Sequence, residues 1–373
     1  MKIVFLCEFS SGICGVWNRV YNIAKILAKR HDVYVLSSNI TKGTEKIAKS
    51  YEELDSIKIY RFPVYFRLGE NALFWNYEKK LQEIKPDIIN AHVYRHPHST
   101  TILKIAKKLN AKCFLTTHAP FVEKELRNPL LNAAVSFYDK YFARKILNSY
   151  TKVIAITKWE IPFLIKLGCK RNKILYIPNG FPQEYLKTKI KYNKTKKKTI
   201  IFLGRIAPIK NLELLIEVFA ELEKKHNLNL KLVGPIERGY EFPLLNLIKK
   251  LKLNGKIEFT GQVFNLNKKI KLLQESEIFV LPSKREASPL ALIEAMSLGM
   301  IVLSSNTKGA NEFLIDGKNG FIFNNKQELQ EKIEYCIKNY KKLNNIRKKA
   351  RESVKILNWK SIAKTEEKLY LNS

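Results

Sequence analysis

The feature that most constrains the fold is an alternation of short apolar runs with amphipathic helical patterns along nearly the whole chain. KIVFLCEF (2–9) is followed by VWNRVYNIAKILAKR (16–30) and DVYVLSS (32–38), and DIINAHV, TILKIAKKLN, KCFLTTH and KVIAITK continue the rhythm. Such alternation predicts βαβ units, hence an α/β fold with a parallel sheet covered by helices on both faces. A lysine-rich polar stretch, KTKIKYNKTKKK (187–198), interrupts the pattern, and TIIFLGRI opens a second series of the same kind. The expected organisation is a first domain over 1–186, a linker over 187–198 and a second domain over 199–355. Both are expected to be doubly wound and Rossmann-like, with the carboxyl ends of their sheets bordering a central cleft where ligands bind. The tail (356–373) contains an amphipathic helix from Trp359 to Leu371 with no strand after it, and is expected to pack back on the first domain.

A length of 373 residues with 46% hydrophobic content supplies two cores. No apolar run approaches the length of a membrane span, and the opening apolar stretch is too short for a signal peptide, so a cytoplasmic protein is expected. The five cysteines (Cys7, Cys14, Cys113, Cys169, Cys336) contain no CxxC pair, which speaks against a disulfide framework or a metal cluster. Lys and Arg number 67 against 34 Asp and Glu, a formal charge of +33 that attracts nucleic acid, anionic lipid or polyphosphate. AT-rich coding or a hot habitat also produces such a lysine-rich mix. No nucleic-acid-binding signature is evident, so no nucleic-acid partner is expected.

Residues 286–294, Glu-Ala-Ser-Pro-Leu-Ala-Leu-Ile-Glu, follow the strand-like IFVLPS (278–283). Ser288 suits an N-cap and Pro289 a first helical position, which predicts a helix through Ala295 that stops near Gly299. Glu286 then lies in the loop and Glu294 just over one turn into the helix. Free amides at the helix start favour an anion such as phosphate, and two carboxylates accept hydrogen bonds from sugar hydroxyls. Read alone, such a pair is more often ordinary solvated charge, and its context decides. Gly204-Arg205-Ile-Ala-Pro-Ile-Lys210 follows the strand-like TIIFL, so a glycine turn delivers two cations that can neutralise a diphosphate as its charge grows in the transition state. Two ordinary surface cations are the alternative, and the segment is not a Walker loop. Glu312 is open between a place near the donor and a structural role at a helix start.

Taken in order, IPNG (177–180), FLGRIAPIKN (202–211), LKLVG (230–234), FTGQV (259–263), the E-x7-E segment with EAMSLG (286–299), KGANEFLIDGKNGFIF (308–323) and a closing WKSIA resemble family 4 of the retaining glycosyltransferases. The resemblance covers nearly the whole chain. It implies the GT-B fold and a hexosyltransferase-type enzyme that moves a sugar from a nucleotide diphosphate, here a UDP- or GDP-sugar, with no required metal or other cofactor. It makes Gly204, Arg205 and Lys210 part of the diphosphate site, Glu294 the ribose hydroxyl acceptor and Glu286 the donor-sugar hydroxyl acceptor, with the amides of Leu290 and Ala291 facing phosphate or sugar. Ser288-Pro289 stands where relatives often carry Phe-Gly, and proline has no N–H to donate; Asn211 stands where many have glycine.

In the first half, Gly12-Ile-Cys-Gly15 resembles the family's glycine-rich loop without its adjacent glycine pair. Gly12 and Gly15 are thus acceptor-side candidates, with a plain strand-to-helix turn as the open alternative. His118, after FLTT, matches a histidine set against the transferred sugar. The implied catalytic set is Arg205, Lys210, His118 and Glu286, and the implied mechanism is front-face attack, in which the departing phosphate takes the acceptor's proton. His92 ends a strand as a supporting residue. Arg95, His96 and His98 are expected to form a cationic loop for an anionic acceptor.

Aromatic and aliphatic residues interleave with Arg and Lys at 60–80 and 121–150, a pattern suited to an anionic membrane surface and to a glycan or lipid-linked acceptor, with peripheral attachment at the inner face. The competing expectation makes Phe137, Tyr138, Tyr141, Phe142 and Ile146 the core face of an ordinary amphipathic helix. Two other functions share part of the pattern: a nucleotide-sugar 2-epimerase of the same architecture, and a non-catalytic polyanion-binding protein.

Overall fold

The first apolar run becomes strand β1 (Lys2–Phe9), whose residues after Lys2 are all buried, as in a parallel strand covered on both faces. The computed structural model describes every residue except 13, 45, 70–71, 122–127 and 192–196. After β1 come α1 (Gly15–Leu27), β2 (Asp32–Ser38), β3 (Tyr51–Leu54), β4 (Ile57–Phe62), β5 (Val64–Leu68), β6 (Ala72–Trp75), α2 (Glu78–Ile84), β7 (Ile88–His92) and α3 (Pro97–Lys108). The same half continues through β8 (Lys112–Thr116), α4 (Pro129–Tyr141), α5 (Ala143–Ser149), β9 (Lys152–Ala155), α6 (Ile161–Lys166) and β10 (Ile174–Tyr176). Eight strands form one sheet in the order β10-β9-β8-β7-β1-β2-β4-β3. All neighbours are parallel except β3, which pairs antiparallel with β4. Strands β5 and β6 form a separate antiparallel pair.

The second half contains α7 (Glu184–Lys187), β11 (Lys198–Leu203), α8 (Leu212–Glu223), β12 (Leu228–Val233), α9 (Glu241–Lys250), β13 (Ile257–Gly261) and α10 (Leu266–Gln274). It continues with β14 (Ile278–Leu281), α11 (Leu290–Ser297), β15 (Ile301–Ser305), α12 (Lys308–Asn311), β16 (Phe321–Phe323), α13 (Lys326–Lys338) and α14 (Asn344–Val354). Its six strands run parallel in the order β13-β12-β11-β14-β15-β16. Strand order therefore reverses beside β1 in the first sheet and beside β11 in the second, the points where open α/β sheets bind ligands.

The chain divides into Met1–Gly180 with Trp359–Ser373, and Phe181–Asn358. The division falls before the lysine-rich stretch rather than within it, because Phe181 and Tyr185 are wholly buried in the second core. Part of the expected linker, 192–196, lies outside the described residues. The last helix, α15 (Trp359–Leu371), belongs to the first unit. Its Glu366 pairs with Arg19 of α1 at 2.5 Å, both side chains 0% exposed. Arg19 also donates to the carbonyl of Pro178 (2.7 Å) and to Asn179 Oδ1 (3.1 Å), while Tyr370 accepts from Asn90 of β7 (2.8 Å). All five cysteines are free. Among the described residues no helix is long and apolar enough to cross a membrane.

Candidate functional site

In the second unit the loops after β11 and β14 meet. Gly204 continues β11 and its amide bonds to Val233 O of β12 (2.9 Å), so the turn carrying Arg205 runs beside the turn after β12. The approach is so close that a Cβ on Gly234 would overlap the carbonyl of Gly204. Arg205 is exposed and pairs with Glu237 at 2.5 Å. Lys210 ends a single 3-10 turn, Pro208–Lys210, and Asn211 after it has φ +53, a left-handed conformation that asparagine tolerates better than most residues.

Lys210 donates to Glu286 Oε1 at 2.6 Å, and the same oxygen accepts from Ser283 Oγ at 2.6 Å. The amide of Lys284 bonds to Ile209 O (2.9 Å), which fastens the two loops together. Gly309 completes the arrangement: its amide bonds to Glu286 O (3.1 Å), and a Cβ there would stand 2.6 Å from the carbonyl oxygens of Glu286 and Ala287. This glycine permits close approach rather than a turn.

Helix α11 begins one residue later than expected. Pro289 is its N-cap, with extended ψ of 99, and no side chain caps the helix. Ser288 is therefore not the cap, and the proline ring occupies the turn before the helix instead of its first position. The first helical bond is from Ile293 N to Pro289 O (3.4 Å), which leaves the amides of Leu290, Ala291 and Leu292 at the open end. The helix stops as expected, with Gly299 at φ +66. Glu294 lies on the buried face and accepts from Lys269 of α10 at 3.0 Å. The buried phenol of Tyr185 sits beside it, its ionisation pushed up by burial and then by the Glu294 charge.

The structure thus gathers Gly204, Arg205, Lys210, Glu286, Leu290, Ala291 and Glu294 in the loops and helix starts beyond β11 and β14. It shows each charged member already paired. Glu237, Ser283, Lys269 and Tyr185 escaped the sequence reading. Lys269 lies in NKKIKLLQ with no mark to distinguish it from its neighbours.

In the first unit, Gly12 has φ +83 and its Cβ would overlap the carbonyl of Lys42, so both conformation and space demand glycine. Gly15 opens α1 in open space, and Ile13 between them lies outside the described residues. His118 has φ +60 and its Nε2 is 2.8 Å from His92 Nδ1, so one ring donates and the other accepts. Burial holds both well below the usual histidine range; for His92 the cost of placing a second charge beside the His118 ring adds to it, and for His118 the Arg19 guanidinium does. The turn bearing His118 is clamped by Glu160, which accepts from Thr117 Oγ1 (2.6 Å) and the amides of Ala119 (3.0 Å), Ile156 (2.6 Å) and Thr157 (3.0 Å).

The expected cationic loop is not built. Arg95 makes a two-pronged pair with Asp139 (2.8 and 2.5 Å) and donates to Pro120 O (3.1 Å). His98 is buried and held at about 3 by that burial, and His96 faces Glu8 at 3.2 Å. Among the described residues no three His, Cys, Asp or Glu side chains are placed to hold a metal ion.

Two α/β units built on largely parallel sheets, one with cationic and carboxylate side chains at its sheet's switch point, have the pattern of a GT-B glycosyltransferase. Residues 13–185 match the family description "Glycosyltransferase Family 4", and residues 185–353 match "Glycosyl transferases group 1". The chain belongs to glycosyltransferase family 4. It is 28% identical to an uncharacterized glycosyltransferase of Methanocaldococcus jannaschii, over 99% of this chain and 97% of that one. It is also 28% identical to the alpha-monoglucosyldiacylglycerol synthase of Acholeplasma laidlawii, over 96% of this chain and 94% of that one. Its fold matches that of Anabaena HepE in complex with UDP and glucose, with a TM-score of 0.76, 19% identity and full coverage of both chains.

Proposed function

We propose that this glycosyltransferase moves a hexose from a UDP-sugar to a hydroxyl of a glycan or lipid-linked acceptor, with retention at the anomeric carbon. The observation that carries the reading is the fastening of Lys210 to Glu286 beside Arg205 and the open amides of α11. Cations and helix-start amides suit a diphosphate, and the two carboxylates suit hydroxyls of ribose and sugar. Arg205 and Lys210 bind the diphosphate, Glu294 the ribose and Glu286 the donor sugar. Pro289 offers no amide at the helix entry, so phosphate or sugar contacts fall to Leu290 and Ala291.

In the retaining step the acceptor oxygen bonds to the anomeric carbon as the bond from that carbon to the phosphate oxygen breaks, and the acceptor's proton passes to the departing phosphate. The leaving diphosphate gains charge, which Arg205 and Lys210 stabilise more in the transition state than in the ground state. Glu286 is held by Lys210 and Ser283 as a hydrogen-bond acceptor rather than a free nucleophile. His118, kept neutral, serves as a hydrogen-bonding group for the transferred sugar. A uracil nucleotide is favoured over guanine by the fold likeness to a protein bound to UDP and glucose. A lipid acceptor is favoured by similarity to a diacylglycerol glycoside synthase.

A thermal-shift screen of UDP-, GDP- and ADP-sugars tests the donor, because a ligand well above its dissociation constant raises the melting temperature. UDP-sugars should stabilise wild type and not Glu294→Ala. No response to any of them would sink the donor assignment. An epimerase would turn over donor without acceptor, and a polyanion binder would be indifferent to Glu294→Ala.

A further inference from the structure

Helix α4 is built inside out. None of its residues is buried: Leu130 is 81% exposed, Phe137 59% and Tyr141 60%, and they lie with Ala134 along one stripe at helical spacing. The polar groups face the protein instead. Tyr138 shares a hydrogen bond with Thr100 of α3 (2.9 Å), and Asp139 takes Arg95 and the hydroxyl of Tyr94 (3.2 Å). The expectation of an ordinary core face fails for Phe137, Tyr141 and Phe142, which are exposed; only Tyr138 and Ile146 pack against the core.

The β5–β6 pair also turns apolar groups outward, although its inward side is apolar as well. Leu73 and Trp75 are buried, while Tyr65 (73% exposed), Phe66 and Leu68 face outward. Just beyond β6, Tyr77 bonds to Thr101 of α3 (2.6 Å), the neighbour of the Thr100 that anchors α4. The two outward-facing apolar elements are therefore anchored at the same turn of one helix. The cations Arg67, Lys140, Arg144 and Lys145 are exposed among them, and Asp139, taken up by Arg95, is the only acidic residue in β5, β6, α4 and α5.

We infer that α4 and the β5–β6 pair form a docking surface for an anionic lipid bilayer, with Leu130, Phe137, Tyr141, Tyr65 and Phe66 entering the headgroup region and the four cations meeting lipid phosphates. Aromatic and aliphatic groups at interfacial depth with Lys and Arg beside them match the two layers of a leaflet surface. A neutral protein partner would cover the apolar groups and leave the cations without counter-charge. The chain's +33 adds long-range attraction to such a surface. The inference deepens the reading of a lipid-borne acceptor, but docking is measured without turnover.

The experiment is sedimentation of the full chain with phosphatidylglycerol/phosphatidylcholine vesicles and with phosphatidylcholine vesicles, at low and high salt. Wild type should pellet with the anionic vesicles and be released by salt. Phe137→Ser with Tyr141→Ser, and separately Tyr65→Ser with Phe66→Ser, should lower partitioning at least about tenfold with unchanged melting. Lys140→Glu with Lys145→Glu should do the same without touching an apolar group. Phe242→Ser, at an equally exposed residue of the second unit, should pellet like wild type. Pelleting indifferent to lipid charge, or patch variants that pellet like wild type, overturns the inference. So does a change in solution mass of the patch variants without a change in pelleting, which would assign the face to a second copy. Glu294→Ala should pellet like wild type. Vesicle binding without any donor response leaves docking standing and removes the donor reading, and the converse removes docking alone.

Discussion

Replacing Glu286 with glutamine separates diphosphate binding from sugar transfer. Lys210 Nζ and Glu286 Oε1 are 2.6 Å apart, with side chains 19% and 10% exposed. At an effective dielectric of about 20 the gross attraction is about 6 kcal/mol, most of it offset by desolvation of the two ions, which leaves on the order of 1–2 kcal/mol holding the ammonium. A diphosphate that recruits Lys210 must displace that pairing. Glutamine still accepts from Lys210 and Ser283 but carries no charge, so UDP should bind Glu286→Gln about 5–30-fold more tightly. The same variant loses a charged acceptor for the donor sugar's hydroxyl, worth roughly 1.5–3 kcal/mol, so kcat/KM for transfer should fall about 10- to 100-fold. Isothermal titration with UDP at low salt and initial rates with the responding donor read the two effects. Unchanged or weaker UDP binding in Glu286→Gln, together with unaltered UDP binding in Lys210→Ala, would refute the reasoning.

Arg19→Met leaves the Glu366 carboxylate buried without its partner and should cost about 3–5 kcal/mol in urea unfolding. Gly234→Ala forces a Cβ into the Gly204 carbonyl at φ +145, so the Arg205 turn must shift; UDP affinity should fall at least about tenfold and stability by roughly 2 kcal/mol. His98, held at about 3 by burial against an ordinary 6.5, gives stability that is whole above pH 6.5 and is lost as pH falls toward 3, at about 1.4 kcal/mol per unit. His98→Gln should flatten that acid slope in denaturation curves taken between pH 6.5 and 4. Glu160 acts in the opposite sense: raised to about 7 by burial against its hydrogen bonds, it should lower stability as pH rises from 4.5 through 7, and Glu160→Gln should remove that slope.

Elements whose signal is local were legible in the sequence. The period of apolar runs predicted two parallel sheets, and Gly204, Arg205, Lys210, Glu286 and Glu294 fell where strand-to-loop order put them. What depended on distant partners was not legible. Arg95 reads as a free cation until Asp139, 44 residues on, is seen to neutralise it. Lys269 reads as one lysine among many until α10 brings it to Glu294. The α4 segment has the composition of a core helix, and only its neighbours show that its polar side is the packed one. Pro289 caps α11 from outside because its ring is accommodated before the helix, which helix-start preferences do not resolve to a single residue.

The pair Arg19–Glu366 spans 347 residues of sequence and closes the first unit. During synthesis this sets an order opposite to that of the chain. The second unit is one continuous stretch, Phe181–Asn358, bonded end to end by Phe181 N and Leu357 O at 2.9 Å, and it has all its parts before α15 leaves the ribosome. The first unit, although made first, lacks the carboxylate partner of Arg19 until Glu366 emerges. Pulse proteolysis of chains ending at Asn358 should find the second unit resistant and the first open to cleavage. Equal protection of both would show that α15 is dispensable for folding.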